Sequence, residues 1–387
     1  MNKKFVTIFS VYKDFHFYKD PGQIPYWFAS LYGFDSTIVC YNNDTYKITD
    51  KYLNMHFFKK RKKHFNFIFN DIAFLIKNAR EIAVLNLIQF DLKNLISAAV
   101  YKKLNKEGFC YLRLDFSKVG KSGLDPDEIH WFRNSKKLRY KLLNFLKLKL
   151  VRYVDTWSLQ DNESREYYLG KYNFFKKKLT LSYNGFTTEF YKDIQIKDFK
   201  DKKDIILTVG LIGSPAKATE ILLQAMTKIK NLGNWELHLA GEIENDFRDY
   251  ITEFFITYPD IKTRLVFHNY LEKDKLYDLY NQAKIFCLPS RYEGMPLVIP
   301  EAMYFKNALI ITDFGCSQFV TDNEKAGFIV EKNNSSQLAG YLEKLMNEPD
   351  LLKRMGNHAH LIAARHLKWE IIVEKLYNDF ITHGFKY

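Results

Sequence analysis

Cysteine is scarce and scattered in this 387-residue chain. The four residues Cys40, Cys110, Cys287 and Cys316 never fall at the short paired spacings of a zinc site or a redox motif. They read as reduced packing residues. No apolar run reaches the ~18 residues of a spanning helix, and the stretch at 5–9 is too short for a secretory signal. The expectation is a cytoplasmic protein, at most peripheral on the inner face of a membrane. No repeat of solenoid length is present, and no clear carboxylate set for Mg²⁺ stands out, so no metal and no cofactor are expected.

What is abundant is apolar and aromatic surface: 47% hydrophobic residues, including 33 Phe and 26 Tyr, against 27% charged. That supplies two cores, and the length exceeds what one core comfortably serves, since single cores stop growing near ~250–300 residues. The net charge of +13 is unevenly shared. Residues 1–192 carry 34 Lys and Arg against 18 Asp and Glu, a balance of +16, and the remainder balances at −3. An anionic partner for the first half follows, with nucleic acid, anionic lipid and a phosphate-bearing substrate as the classes. No zinc-finger spacing or aromatic RNA-reading motif is present, so nucleic acid is not the expected partner.

Strand-like and helix-like stretches alternate through both halves: apolar strands at 5–9, 37–41, 82–88 and 109–114 with helices before 31 and at 92–104, and a turn-rich stretch at 19–25. After a charged linker at 194–203 come strands at 205–209, 236–240, 264–267, 285–288 and 309–312, interleaved with helices at 219–230, 246–256, 273–283 and 297–305. Alternation of this kind predicts parallel sheets covered by helices. The expected division is 1–193, 194–368 and a last helix at 369–381, with the tail to 387, returning to the first domain.

Chemistry concentrates between Leu288 and Met303. A buried strand there breaks at Glu293-Gly294 and re-enters a helix with Pro296 near its start. Strand-to-helix junctions of open α/β sheets bind ligands. The backbone N–H groups of Met295, Leu297 and Val298 at the helix's positive end suit a diphosphate, and Gly294 permits close approach. Glu293 and Glu301 are acceptor-only carboxylates suited to sugar and ribose hydroxyls; the alternative is a turn residue and a solvated helix face. A second junction, Gly210 to Glu220, holds Gly210, Gly213 and Lys217, whose ammonium can meet a diphosphate; the alternative is simple turn chemistry.

Taken together these segments resemble the retaining glycosyltransferase family 4 of the GT-B fold. The likeness runs over 204–375: Val209-Gly210 with Lys217, Leu239 to Glu242, Pro289 to Gly294, Glu301 to Met303, Ile311 to Asp313, Gly327 and Trp369. The two glutamates match that family's pair separated by seven residues. The resemblance implies two Rossmann-like domains facing a cleft, a nucleotide-sugar donor (UDP or GDP), and a saccharide or lipid-linked saccharide acceptor received by the first domain. It assigns Glu301 to the ribose, Glu293 to the transferred sugar, and the backbone of Gly294, Met295, Pro296 and Leu297 to sugar and diphosphate. Lys217 goes to the diphosphate, and Gly22 to the donor phosphates in the first strand-to-helix loop. Three positions depart from the family: Leu211 where arginine is common, Lys306 where glycine is often found, which suggests a different helix end, and Gln89-Phe90 where a histidine often stands. These departures define an alternative, a degenerate member that binds donor or a partner enzyme without turnover.

Residues 131–150 hold seven Lys or Arg, no acid, and many Leu and aromatic residues. The composition predicts an interfacial helix on anionic lipid, with Arg133, Lys136, Lys137, Arg139 and Lys141 on its basic surface; the alternative is a core helix with snorkelling lysines. A second basic cluster lies at 57–64.

Overall fold

The computed structural model describes residues 3–41, 50–58, 66–114, 138–187 and 194–386. The chain forms two compact units, Met1–Gly185 with Trp369–Tyr387, and Phe186–Lys368.

In chain order the first unit contains β1 (Lys4–Ile8), α1 (Asp20–Tyr32), β2 (Asp35–Tyr41), β3 (Asn54–Phe58), α2 (Asn66–Asn78), β4 (Ile82–Ile88), α3 (Leu92–Leu104), β5 (Phe109–Arg113), α4 (Leu138–Leu150), β6 (Thr156–Leu159), α5 (Asn162–Lys171) and β7 (Leu179–Leu181). The sheet order is β3-β2-β1-β4-β5-β6-β7, and every pairing between these strands is parallel. β5 is buried along its whole length, because helices cover both faces and each side chain of a central strand meets one of them. Leu85, Leu87, Leu95, Leu112 and Trp157 form the core on one face.

The second unit holds β8 (Ile205–Val209), α6 (Thr219–Lys228), β9 (Glu236–Ala240), α7 (Asn245–Thr257), β10 (Leu265–Asn269), α8 (Lys273–Gln282), β11 (Ile285–Leu288), α9 (Val298–Tyr304), β12 (Ala308–Thr312), α10 (Ser317–Thr321), β13 (Gly327–Val330), α11 (Ser335–Asn347) and α12 (Pro349–His366). Its strands run β10-β9-β8-β11-β12-β13, again all parallel. The last helix, α13 (Trp369–Thr382), belongs to the first unit. There Tyr377 stacks on Tyr32 at 3.9 Å and Phe380 on Phe28 at 5.4 Å, while Thr156 Oγ1 meets His383 Nδ1 at 2.7 Å.

Two segments differ from the sequence reading. The turn-rich stretch 19–25 is already helix: α1 begins at Asp20 with Pro21 in its first turn, where a missing N–H and a fixed φ do no harm. The charged stretch 194–203 is not a free linker but packs on the second unit. Asn281 takes the Lys197 N–H at 2.9 Å and donates to Gln195 O at 2.9 Å. Lys202 is 6% exposed, and its ammonium donates to Ala283 O and Phe305 O, both at 2.7 Å. Burial, then the like charges of Lys306, Lys197 and Lys284, pull its pKa down to about 7.

Candidate donor site at the β8–β11 switch point

In the second sheet the strand order reverses between β8 and β11, and the loops leaving their carboxyl ends diverge, which opens a crevice for a ligand. Gly210 ends β8 with φ 154°, and Gly241 ends β9 with φ 141°. A Cβ on Gly241 falls 1.8 Å from Gly210 O, so Gly241 tolerates no side chain at that contact. The loop then turns back: Ser214 O accepts the Lys217 N–H at 2.9 Å, Ala218 is left-handed at φ 50°, and Thr219 Oγ1 accepts the Gly213 N–H at 3.0 Å.

This turn lays the Lys217 stem across Gly210, where a Cβ would lie 3.1 Å from Cε, and sets its ammonium on Glu293 Oε1. Ser290 Oγ donates to the same oxygen at 3.0 Å. Gly210, Lys217 and Glu293, separated by up to 83 positions in the chain, therefore meet in space. Arg291, which the sequence reading passed over, ties the two loops together. Its N–H donates to Ala216 O at 2.8 Å, Nη1 to Pro215 O at 2.6 Å and Nε to Asn333 Oδ1 at 2.7 Å, and it pairs with Glu220.

Glu301 sits in the first turn of α9, 5% exposed, which excludes a solvated helix face. One carboxylate oxygen pairs with Lys273. The other has no hydrogen-bond partner among the described residues, and the side chain lines a narrow cavity with Thr187, Tyr277 and Tyr304. Burial, then the Glu301 charge, push the Tyr280 hydroxyl well above its usual pKa, so it stays neutral, and it makes no hydrogen bond among the described residues. Lys273 was missed because it lies 28 residues before Glu301 with no local pattern.

α9 starts at Val298 and has seven residues, shorter than the expected 297–305. Ile299 N–H reaches back to Pro296 O at 3.1 Å and Glu301 N–H to Leu297 O at 3.4 Å. The macrodipole of so short a helix is small, so fixed positive charge at this junction comes mainly from Lys217. Met295 is buried as a whole residue, at 2% exposure; Gly294, Pro296 and Leu297 are half-buried.

Gly22 lies inside α1, not in a loop. A Cβ there falls 2.5 Å from Phe17 Cα and 2.6 Å from Phe17 O, so its bareness serves the packing of the preceding turn. Of the departures, Leu211 is 41% exposed. Phe90 turns into the core beside Trp157 at 5.7 Å, and Gln89, at φ 77°, is the exposed member of that turn. Lys306 has φ 58°: the helix end is the left-handed one that glycine serves, not a different one. Lys306→Gly is expected to raise the urea midpoint of the second unit by the equivalent of about 1 kcal/mol, since the Lys306–Asp198 pair at 3.3 Å is too exposed to offset it. An unchanged midpoint would mean the lysine sits there without strain.

Of the basic helix, Arg133, Lys136 and Lys137 lie outside the described residues, as do 59–65. Arg139 is within α4, and Lys141 is exposed. Leu142, Phe145 and Leu148 on α4 are 66%, 58% and 52% exposed, so α4 is no core helix. No helix among the described residues is long and apolar enough to cross a membrane.

The two parallel, helix-covered sheets are those of the GT-B fold, and the lysine–glutamate pair and the buried carboxylate lie at the second sheet's switch point. Residues 189–361 match the family described as Glycosyl transferases group 1. An uncharacterised glycosyltransferase of Haemophilus influenzae is 31% identical over 41% of this chain, and the chain spans about half that relative's length, 44%. The capsular polysaccharide biosynthesis glycosyltransferase CapM of Staphylococcus aureus is 25% identical over 86% of this chain and 92% of its own. The Anabaena protein HepE, crystallised with UDP and glucose, shares the fold at a TM-score of 0.68 and 14% identity, covering 97% of this chain and 98% of that one.

Proposed function

We propose that this chain transfers one hexose-type sugar from a UDP- or GDP-sugar, with retention, to a saccharide or lipid-linked saccharide in surface-polysaccharide assembly. The observation that carries this is Glu301: a carboxylate 5% exposed with one oxygen unpaired among the described residues, in the same strand-to-helix segment as the Lys217–Glu293 pair. A buried acceptor without a donor is costly unless a ligand supplies one, and a ribose supplies two hydroxyls. The name of CapM and the UDP complex of HepE support the pathway and the donor class.

In this reading Lys217 and the backbone N–H groups of Gly294 and Leu297 hold the diphosphate, and no metal ion is needed. The bond from sugar C1 to the β-phosphate oxygen breaks, charge develops on that oxygen, and Lys217 stabilises it as it forms. The acceptor hydroxyl oxygen bonds to C1 and its proton passes to the departing diphosphate. Glu293, freed from Lys217 once the phosphates arrive, is then available to the transferred sugar's hydroxyls.

The test is a panel of UDP- and GDP-sugars, read by calorimetry and by NMR of the product's anomeric centre. Binding of one donor with an axially or equatorially unchanged product supports the reading; an inverted product ends the claim of retention. Tight donor binding with neither transfer nor hydrolysis selects the non-catalytic alternative, which exposed Leu211 favours.

The first unit is the proposed acceptor domain, peripheral on an anionic membrane through α4. The full chain is expected to co-sediment with phosphatidylglycerol vesicles and not with phosphatidylcholine ones. Phe145→Asp should release it, and each basic residue removed should cost about 1 kcal/mol. Equal binding to both vesicle types would end this assignment.

A further inference from the structure

Lys217 has a long flexible stem, so its ammonium reaches one place only if the turn beneath it is fixed. Ser214, Pro215, Ala216 and Lys217 form that turn, closed by the Lys217 N–H on Ser214 O at 2.9 Å. Pro215 takes the second position, where its fixed φ fits. The carbonyls of the two central residues need partners of their own, and one residue supplies both. The Arg291 N–H donates to Ala216 O at 2.8 Å and its Nη1 to Pro215 O at 2.6 Å.

The same guanidinium reaches past Lys217 to Glu220, in the first turn of α6. Its Nε donates to Asn333 Oδ1 at 2.7 Å, beside Asn334, whose side chain caps α11 by accepting the Gln337 N–H at 2.9 Å. The root of the Arg291 loop is tied to the sheet as well, because Thr312 Oγ1 of β12 donates to Ser290 O. Lys217 is therefore gripped before and behind by one planar fork, rooted two residues from Glu293. A fork spans several partners in fixed directions, and a lysine's point charge does not. Both side chains of the Arg291–Glu220 pair are 24% exposed, so the pair adds little to stability. Its consequence lies in position: a displacement of about 1 Å at a reacting centre costs up to about 10² in rate. Leu211, on the same loop, brings no charge that could compensate.

We propose that Arg291 is a positioning residue for the diphosphate, acting on it only through Lys217. The proposal rests on the donor-site reading and adds to it a residue that touches no substrate. Its effect belongs to the diphosphate and not to the nucleoside, and it vanishes once Lys217 is removed. A purely structural arginine would lower stability and act equally with and without Lys217, and a purely electrostatic one would be replaced by lysine.

The test compares the full chain with Arg291→Met, Arg291→Lys, Lys217→Met and the Arg291→Met, Lys217→Met double variant. UDP and UMP affinities are measured by calorimetry and kcat by transfer, with GDP and GMP in their place if the donor carries guanosine. Arg291→Met is expected to lower kcat about 10- to 100-fold and to weaken UDP about tenfold, as for a displaced charged hydrogen bond. UMP, which lacks the β-phosphate, should bind as to wild type. In the Lys217→Met background the same substitution should change neither quantity by more than about twofold, and Arg291→Lys should behave like Arg291→Met. Wild-type kcat and UDP affinity in folded Arg291→Met, equal loss of UMP and UDP, the same loss in the Lys217→Met background, or rescue by Arg291→Lys each overturns the proposal. Should Arg291→Met fail to fold, Glu220→Gln decides: a loss of UDP affinity that disappears with Lys217→Met supports the proposal, and one that persists overturns it. If UDP binds without transfer, the affinities alone decide by the same comparison. A chain that binds no nucleotide removes the donor reading and this proposal together, whereas UDP binding weakened by Lys217→Met and untouched by Arg291→Met removes this proposal alone.

Discussion

Glu301→Ala is expected to weaken UDP or GDP binding by about 2–3 kcal/mol, roughly 30- to 150-fold, the usual worth of hydrogen bonds to a charged acceptor. The carboxylate is 5% exposed and one of its oxygens has no protein donor among the described residues, so water does not compete strongly for it. Folding should survive, because Lys273, on losing this one pair, is 27% exposed and rehydrates. Glu301→Gln keeps the volume and one acceptor oxygen, and it should fall between wild type and alanine. Calorimetry with UDP on folded variants decides the matter. Wild-type affinity in Glu301→Ala would show that the pair with Lys273 is only structural, and the donor site would have to be sought elsewhere.

Lys217→Met is expected to lower kcat by about 10²–10³, the range found when one preorganised donor to a developing oxyanion is removed. Its ammonium is bound to Glu293, itself held by Ser290 Oγ at 3.0 Å. A diphosphate must displace that carboxylate, so part of the donor's binding energy goes into parting the pair. Glu293→Gln should therefore tighten nucleotide diphosphate binding slightly while depressing transfer. The double variant should be less impaired than the two single effects combined, because the residues share one interaction. Strict additivity in steady-state kinetics would show that the pair does not act as a unit.

The central strands were legible because a parallel strand buried on both faces must be a continuous apolar run: 205–209, 236–240 and 285–288 coincide with β8, β9 and β11. The two outermost strands of the first sheet were not. β3 and β7, with 54–58 and 179–181, are short and half-exposed, and so carry no such signature. The start of α1 was hidden because Lys-Asp-Pro-Gly serves equally as a turn and as a first helical turn. Only the packing of Gly22 against Phe17 chooses between them.

The sequence by itself determined the two-part α/β plan, the strand-to-helix junctions, and the resemblance carried by Lys217, Glu293, Gly294 and Glu301, because periodicity, glycine and proline placement and fixed spacing are local properties of a chain. Only the tertiary structure decided which charges meet. It joined Lys217 to Glu293 and Lys273 to Glu301, buried Lys202 among carbonyls within a segment that reads as a linker, turned Phe90 inward and Gln89 outward, and neutralised Lys93 against Asp71. Ion pairing and desolvation depend on distance through space, and the order of residues along the chain does not encode that until the sheets have formed.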